Sequence, residues 1–339
     1  MKTTANKKDT DPVDTNASAS ANGWCFQVGA GITLMLDNVK DFNSLKIEGK
    51  TDDIEITLGD GKIYAQAKSV VQMGDRRNAS KNLNEALRVL SNGASNGDAV
   101  QLIYITNIEN PLSSKSSAFQ YGQNYEFSVL PDDAKKKIQD KVDANFPVDK
   151  FRLHLLHFFG EGKNSFERVR EKISEFLREA IGDPSYNRQL LSSWFESFMV
   201  NASDKPKAEK SLELAKGDII YPVIVLVIDP PINEDEFAKV CDHDNYAEIC
   251  QGYRGLITDY ACDYEFFAEV IGDYVSEKNL SSSAGSSKYE FVNERWKNYE
   301  HHFDAIRDVE TREAVVKLLL LTIITKRTRI EGIRRATNL

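Results

Sequence analysis

The sequence lacks any apolar run long enough to cross a lipid bilayer, which takes about 20 consecutive apolar residues in a helix. The two most apolar stretches, Tyr221–Ile228 and Val315–Ile324, are shorter than this. We interpret the first as a buried strand and the second as a buried helix. The segment Met1–Asn22 has little to bury and no apolar core of a signal peptide. We therefore expect that segment to be disordered and the protein to be cytoplasmic, without a membrane segment.

Cysteine is scarce, with four residues and no CxxC pair. Paired cysteines are typical of secreted domains and of zinc sites, so this pattern favours free thiols in a reducing compartment. The sequence also contains no P-loop and no dinucleotide-binding fingerprint. ATPase and dehydrogenase activities are therefore left without support.

The charge is distributed unevenly along the chain. Residues 1–150 carry 18 Lys+Arg and 20 Asp+Glu, a net charge of −2, and the remainder carries 25 and 32, a net charge of −7. A nearly neutral N-terminal part would need a local basic patch, or a partner, to hold nucleic acid.

The length and the apolar periodicity predict two domains. A chain of 339 residues exceeds the size at which single cores tend to split, about 250–300 residues. The spacing of apolar residues predicts an α/β domain over residues 23–160 and a mostly α-helical interaction or oligomerisation domain over residues 161–339, after the disordered residues 1–22. We expect the two domains to be separable. The elements predicted for the first are, in order, a helix at Gly23–Met35, strands at Leu45–Ile47, Ile54–Leu58 and Lys62–Val70, a helix at Asn78–Leu90, a strand at Val100–Thr106, a helix at Pro131–Val142 and a strand at Phe151–Phe159.

The segment Glu48–Ser69 carries the most information about function. Asp60-Gly61 predicts a two-residue hairpin turn, because both central positions of that turn need positive φ. This turn makes Asp53 face Lys68 across the hairpin. Side chains alternate along each strand, so one face is apolar and the other is polar. The members of the polar face are Asp53, Glu55, Thr57, Tyr64, Gln66 and Lys68.

Three side chains of this polar face match what phosphodiester hydrolysis requires. A hard cation held by oxygen ligands polarises the phosphate, and a positive group stabilises the charge that develops in the transition state. Asp53 supplies a carboxylate ligand, and Gln66 supplies an amide oxygen. Lys68 lies two residues after Gln66, on the same face, and supplies the positive group.

At these residues the sequence resembles the PD-(D/E)xK restriction-endonuclease-like superfamily, in the variant with a QxK triplet. The motifs that carry the resemblance are GWCFQ at Gly23–Gln27, Glu48 followed by Asp52-Asp53-Ile54, and Gln66-Ala67-Lys68. The sequence is more closely similar to the double-stranded-DNA endonuclease domain at the N-terminus of bacterial anti-phage effectors. Those include SAVED-linked effectors of CBASS systems and nuclease subunits of Lamassu systems. The resemblance covers residues 23–160.

The resemblance implies a restriction-endonuclease-like fold and a Mg²⁺-dependent activity on double-stranded DNA, with Mn²⁺ able to substitute. It implies that Asp53, Gln66 and Lys68 are catalytic, that Asp53 and Gln66 bind the metal, and that Glu48 adds a ligand. Gln27 is a supporting residue, although packing and helix capping explain it equally well. Glu55 supports the site from the same polar face. Asp52 competes with Asp53 as ligand, but the register directs it to the core.

The C-terminal half suggests how such an activity is controlled. It offers no nucleotide-sensing pocket, which favours control by partner proteins, as in Lamassu: an SMC-like ATPase or another defence subunit, together with self-association. The basic residues Lys326, Arg327 and Arg329 either occupy a solvated helix end or contact DNA phosphate or a partner. Two alternatives stay open: an inactive nuclease-like module that binds DNA or protein, and a ribonuclease on the same scaffold.

Overall fold

The computed structural model describes residues 17–48, 52–115, 119–160, 164–204, 212–242, 246–258, 264–280 and 287–339. Within them, a mixed β-sheet is covered by helices on both faces. The strands are β1 (Phe42–Ile47), β2 (Ile54–Leu58), β3 (Lys62–Lys68), β4 (Ala99–Thr106), β5 (Asn124–Glu126), β6 (Phe151–Leu155) and β7 (Leu212–Ala215).

Helices make up most of the C-terminal half. The helices are α1 (Ala17–Asp37), α2 (Ala79–Ala94), α3 (Asp132–Gln139), α4 (Glu167–Ile181), α5 (Asn187–Asp204), α6 (Lys216–Ile228), α7 (Glu234–Phe237), α8 (Tyr246–Thr258), α9 (Tyr264–Leu280), α10 (Lys288–Tyr299) and α11 (Val309–Thr337). An α/β N-terminal region followed by a helical C-terminal region was predicted, and both are present. None of the helices in the described part of the chain has the length and apolar character of a membrane span.

The sheet combines antiparallel and parallel pairing. Its strand order is β5-β6-β4-β3-β2-β1-β7. β3, β4 and β6 run parallel to one another, and β2 pairs with β3 in the antiparallel direction. The start of β2 therefore lies beside the carboxyl end of β3, at the edge of the sheet where ligands of open α/β sheets commonly bind.

The predicted register of the β2–β3 hairpin is wrong by two residues. Thr57 pairs with Lys62 and Ile54 with Ala65, so Asp53 is brought beside Gln66 and not opposite Lys68. The connection consists of the three residues 59–61, and a bond of 2.8 Å runs from the Leu58 N–H to the Gly61 carbonyl. Because the shift is even, each side chain keeps its predicted face.

A tertiary contact fixes this connection. Gly61 adopts a φ of 155°, and a Cβ atom there would lie 2.5 Å from the carbonyl oxygen of Asp98. The same carbonyl accepts a bond of 2.8 Å from the Lys62 N–H. The hairpin tip is therefore fixed by the chain that enters β4, which no pattern within the hairpin reveals.

Two hydrophobic clusters cover the two faces of the sheet. The smaller one packs α2 and α3 against one face and includes Tyr64, Leu87 and Tyr104. The larger one packs α1, α4 and the later helices against the other face, and it includes Ile54 and Ile63. The predicted apolar face of the hairpin is confirmed, since Ile54, Ile56, Ile63, Ala65 and Ala67 all belong to the larger cluster.

The larger cluster runs without interruption from the N-terminal to the C-terminal half. It joins Phe26 of α1 to Ala336 of α11, and β7 extends the sheet by pairing with β1. At Gly332 of α11, an added Cβ atom would collide with the backbone carbonyl of Ala180 in α4. The expectation that the two halves are separable does not agree with this packing.

Two local predictions also differ from the structure. Tyr221–Ile228 forms the second half of the helix α6, not a strand, because apolar residues on every side of an element leave no period to distinguish the two. The Asp218 side chain accepts a bond of 2.8 Å from the Ala215 N–H at the start of that helix. α1 begins at Ala17, inside the segment predicted to be disordered, and residues 1–16 lie outside the described residues.

Candidate functional site

The candidate site is centred on the carboxylate of Asp53, at the junction of β2 and β3. Oδ2 of Asp53 accepts a hydrogen bond from the side-chain amide of Gln66 and another, of 3.0 Å, from the backbone N–H of Ala67. The Ala67 N–H belongs to the backbone of β3. The Asp53 carboxylate therefore extends the hydrogen bonds between β2 and β3 beyond the start of β2. Strand pairing thus fixes the position of the carboxylate.

Lys68 completes the predicted trio. Its Nζ lies 3.9 Å from Oδ2 of Asp53, and its side chain is 28% exposed. Burial raises the pKa of the Asp53 carboxyl, while the charge of Lys68 and the bonds from Ala67, Gln27 and Gln66 oppose that rise. The structure therefore brings Asp53, Gln66 and Lys68 together in a setting that water reaches from one side.

Gln27 reaches Asp53 from the other side of the sheet edge. Its side-chain amide lies near enough to the Asp53 carboxyl to lower the pKa of that group. Two glycines of α1 allow this close approach: a Cβ at Gly31 would lie 3.0 Å from Ile47 of β1, and one at Gly29 would lie 3.3 Å from Val169 of α4. These glycines, unusual for a helix, let α1 lie tightly between the sheet and α4.

Two residues that sequence reasoning missed hold the backbone around Lys68. The hydroxyl of Thr106 donates to the Lys68 carbonyl at 2.5 Å. The fully buried Asn107 side chain accepts from the Val70 N–H at 2.8 Å and donates to the Val70 and Phe158 carbonyls. The sequence signal that could have indicated these two residues is a Thr-Asn pair at the end of a buried strand, since a buried polar side chain needs hydrogen-bond partners.

Asp52 is buried as expected, but against the opposite face. It is 3% exposed, and its Oδ2 lies 3.0 Å from the position of a Cβ at Gly93 in α2, beside Tyr64. Neither carboxylate oxygen has a hydrogen-bond partner. Burial, followed by the charges of Glu55 and Asp53, raises the pKa of Asp52 to about 8. The chain bends at Asp53, which sends Asp52 toward α2 and leaves Asp53 within reach of Gln27.

The two other acidic residues of the prediction do not join the cluster. Glu48 is exposed, has a φ of 54°, and is tied to the site through its backbone, whose N–H donates to the Asp53 carbonyl at 2.8 Å. Glu55 is half-buried beside Tyr64. In the described part of the chain, no hydrogen bond or ion pair connects the carboxylate of Glu48 or Glu55 to Asp53.

The basic residues of α11 are mostly engaged within the protein. Lys326 donates to the Val227 carbonyl at 2.9 Å and to the Pro230 carbonyl, at the end of α6. Arg327 donates to the Ile324 carbonyl, and its guanidinium lies 5.5 Å from the ring centre of Tyr274. Arg329 is exposed, so it is the member of this trio best placed to meet a partner.

The donor atoms around Asp53 fit a cation that keeps few protein ligands. Across the described ranges, no group of three or more His, Cys, Asp or Glu side chains is placed to hold a metal ion. Mg²⁺, however, is commonly held by one or two carboxylates together with water and substrate phosphates. The nitrogen and oxygen of a side-chain amide occupy equivalent positions. A rotation of the Gln66 amide by half a turn therefore places its oxygen, instead of its nitrogen, next to the Asp53 carboxylate.

Comparison of the chain with models of known protein families, with curated proteins and with solved structures finds no match.

Proposed function

We propose that this chain is a Mg²⁺-dependent endonuclease that cleaves double-stranded DNA. One observation carries the proposal: Gln66 and Lys68 both meet the carboxylate of Asp53 where β2 begins and β3 ends. A carboxylate, an amide and an ammonium group at one point are the groups that hydrolysis of a phosphodiester uses. The resemblance of the same residues to the QxK nucleases supports this reading.

Each residue of the site has a distinct part in that reaction. When bound, a hard cation polarises the phosphodiester and favours ionisation of the attacking water. Lys68 places a positive charge beside the phosphoryl oxygens, where negative charge grows as the water oxygen bonds to phosphorus and the bond to the leaving oxygen breaks. The Ala67 N–H holds the Asp53 carboxylate, so it needs no rearrangement during the reaction.

A second candidate function rests on the same contacts. The Asp53 carboxylate already accepts bonds from Gln66 and Ala67, and a carboxylate held in this way also suits a nuclease-like module that binds DNA or protein without cutting it. A ribonuclease on the same scaffold is the third reading, and RNA in place of DNA in the same assay distinguishes it.

The biological setting proposed is that of an effector subunit in a bacterial anti-phage defence complex. A double-strand cut needs two active sites, and each chain supplies one hairpin. We therefore propose that partner contacts hold the enzyme idle and that association on DNA activates it, with Arg329 as a candidate contact. Plasmid linearisation should then rise more steeply than linearly with protein concentration. A verified monomer that linearises plasmid at full specific activity would contradict this part.

The test of the activity is plasmid cleavage in Mg²⁺, with and without a chelator, by wild type and by Lys68→Ala. We expect the variant to lose about 10²- to 10³-fold in rate while it unfolds at nearly the wild-type temperature, because a half-exposed ion pair stabilises little. Lys62→Ala is the matched control: Lys62 begins the same strand and pairs with Asp98 at 3.4 Å, away from the site. Equal cleavage by wild type and Lys68→Ala would overturn the assignment.

A further inference from the structure

A cleft of about 620 Å³ lies between α1, α4 and the strands β4 and β6, apart from the Asp53 site. Its volume is within the range of small-molecule sites, about 300–1,000 Å³. Leu34, Ile103 and Leu156 form an apolar and buried floor. The rings of Tyr121 and His157 form one wall and meet edge to face with their centres 5.2 Å apart. The aromatic wall and the apolar floor suit a planar ring, and polar side chains make up the larger part of the exposed lining around them.

The charges at the rim argue against an ionic ligand. Lys172 pairs with Asp37 at 2.5 Å, which joins α4 to α1, and Arg168 pairs with Glu171 at 2.6 Å. Both cations of the lining are thus already matched by carboxylates, and Glu175 adds a further carboxylate. A phosphate or a carboxylate entering this cleft would meet no uncompensated positive charge.

His154 supplies one hydrogen-bonding group at the floor. It is 4% exposed, and its Nδ1 is buried without a partner. Burial holds the pKa of His154 well below its usual range, so the ring is neutral and carries one N–H. Buried N–H groups are left unpaired more rarely than buried acceptors, so the proton belongs on Nε2. Nε2 has no partner in the described part of the chain and is not among the enclosed atoms. It therefore offers a donor to the cleft.

Thr33 supplies the complementary group. Its hydroxyl donates its hydrogen to the Gly29 carbonyl within α1, at 2.8 Å. Thr33 lines the same cleft, so its oxygen has lone pairs available as acceptors. His154 and Thr33 thus add a donor and an acceptor to the apolar floor, beside the amides of Asn38, Gln101 and Asn124 that also line the cleft, and no net charge is required of the ligand.

We propose that this cleft binds a neutral heterocycle with a cyclic amide edge, the chemistry of a uracil or thymine ring. The ring carbonyl accepts from Nε2–H of His154, the ring N–H donates to the Thr33 hydroxyl, and the ring face lies on the apolar floor. Such a ring comes either from a free nucleoside or from a base of a single strand. The proposal is independent of the nuclease activity, and none of its residues belongs to the Asp53 site.

The experiment is calorimetric titration of the full chain with uridine, followed by N3-methyluridine, which lacks the ring N–H. We expect saturable binding of uridine at up to about 10 mM ligand, and binding about tenfold weaker for the methylated compound, because one neutral hydrogen bond is lost. A short thymidine oligonucleotide that displaces uridine identifies a strand as the source, and failure to displace it identifies the free nucleoside.

Variants make the proposal falsifiable. Thr33→Val and His154→Leu should each weaken uridine binding about three- to tenfold, whereas His301→Leu, at an exposed position away from the cleft, should leave it unchanged. If His154→Leu fails to fold, Thr33→Val decides, because the Thr33 hydroxyl bonds only within its own helix. Absence of saturable uridine binding, or equal binding by wild type and Thr33→Val, would overturn the proposal.

Discussion

The ammonium of Lys68 and the carboxylate of Asp53 lie 3.9 Å apart, although strand pairing places Asp53 beside Gln66. The ion pair is therefore diagonal across the two strands, because Lys68 lies two residues beyond Gln66 along β3. This offset holds the two charged groups at the outer limit of an ion pair, so a cation and a phosphate would have to separate them to bind.

The two neighbouring aspartates should differ sharply in their effect on cleavage. Asp53→Asn removes the only carboxylate that contacts Gln66 and Lys68 in the described structure, so we expect cleavage to fall by about 10²-fold or more. Asp52→Asn replaces a buried, unpartnered carboxyl whose raised pKa of about 8 keeps it uncharged near neutral pH. We expect that variant to retain cleavage within a few-fold. Measured plasmid-nicking rates of the two purified variants check this, and an equal loss would show that Asp52 acts in the site.

The helical half should be required for folding. Removal of residues 161–339 takes β7 from the edge of β1 and α4 from the side of α1, which exposes part of the larger hydrophobic cluster. Exposed apolar surface of this extent costs more than a marginally stable domain supplies. We expect residues 17–160 alone to show no cooperative thermal transition. A sharp transition for that fragment, with well-dispersed amide signals, would restore two separable domains.

His154 should make stability depend on pH below neutrality. Burial, opposed by the charge of Asp37 and reinforced by that of Lys172, lowers the pKa of His154 to about 4 in the folded protein, against about 6.5 when unfolded. As the pH falls below 6.5, the unfolded chain takes up the proton before the folded one does. The stabilisation is therefore complete above pH 6.5 and is lost between 6.5 and 4, by up to about 1.4 kcal/mol per pH unit.

The measurement is urea unfolding of wild type and His154→Leu at several pH values across that window. The free energy of unfolding of wild type should decline more steeply toward low pH than that of the variant. Parallel pH profiles for the two proteins would show that the imidazole titrates normally in the folded state.

Alternation along the hairpin predicted which side chains share a face, and it did so correctly for Ile54, Ile56 and Ile63 because one face is buried. The register was wrong because the turn is set by Asp98, distant in sequence from Gly61. The contact of Gln27 with Asp53 likewise depends on how closely α1 approaches the sheet. Local patterns identify faces and residue types, whereas distances between elements depend on packing that those patterns do not encode.

Asp52 illustrates the same limit. Strict alternation places Asp52 with Ile54, yet a bend at Asp53 sends it to the opposite face, against α2. The apolar residues of α6 show no usable helical periodicity, because nearly all residues of its last turns are buried. The trio of Asp53, Gln66 and Lys68 could be predicted because all three belong to one hairpin, where sequence distance and spatial distance are closely linked.

The most direct test of the central claim is the location of Mn²⁺ by anomalous scattering in crystals of the Lys68→Ala variant soaked with the ion. Our account predicts the strongest peak at about 2.0–2.3 Å from a carboxylate oxygen of Asp53, with the Gln66 amide turned so that its oxygen faces the ion. An Asp53 carboxylate that keeps its bonds to Gln66 and Ala67, with no anomalous peak beside it, would contradict the account.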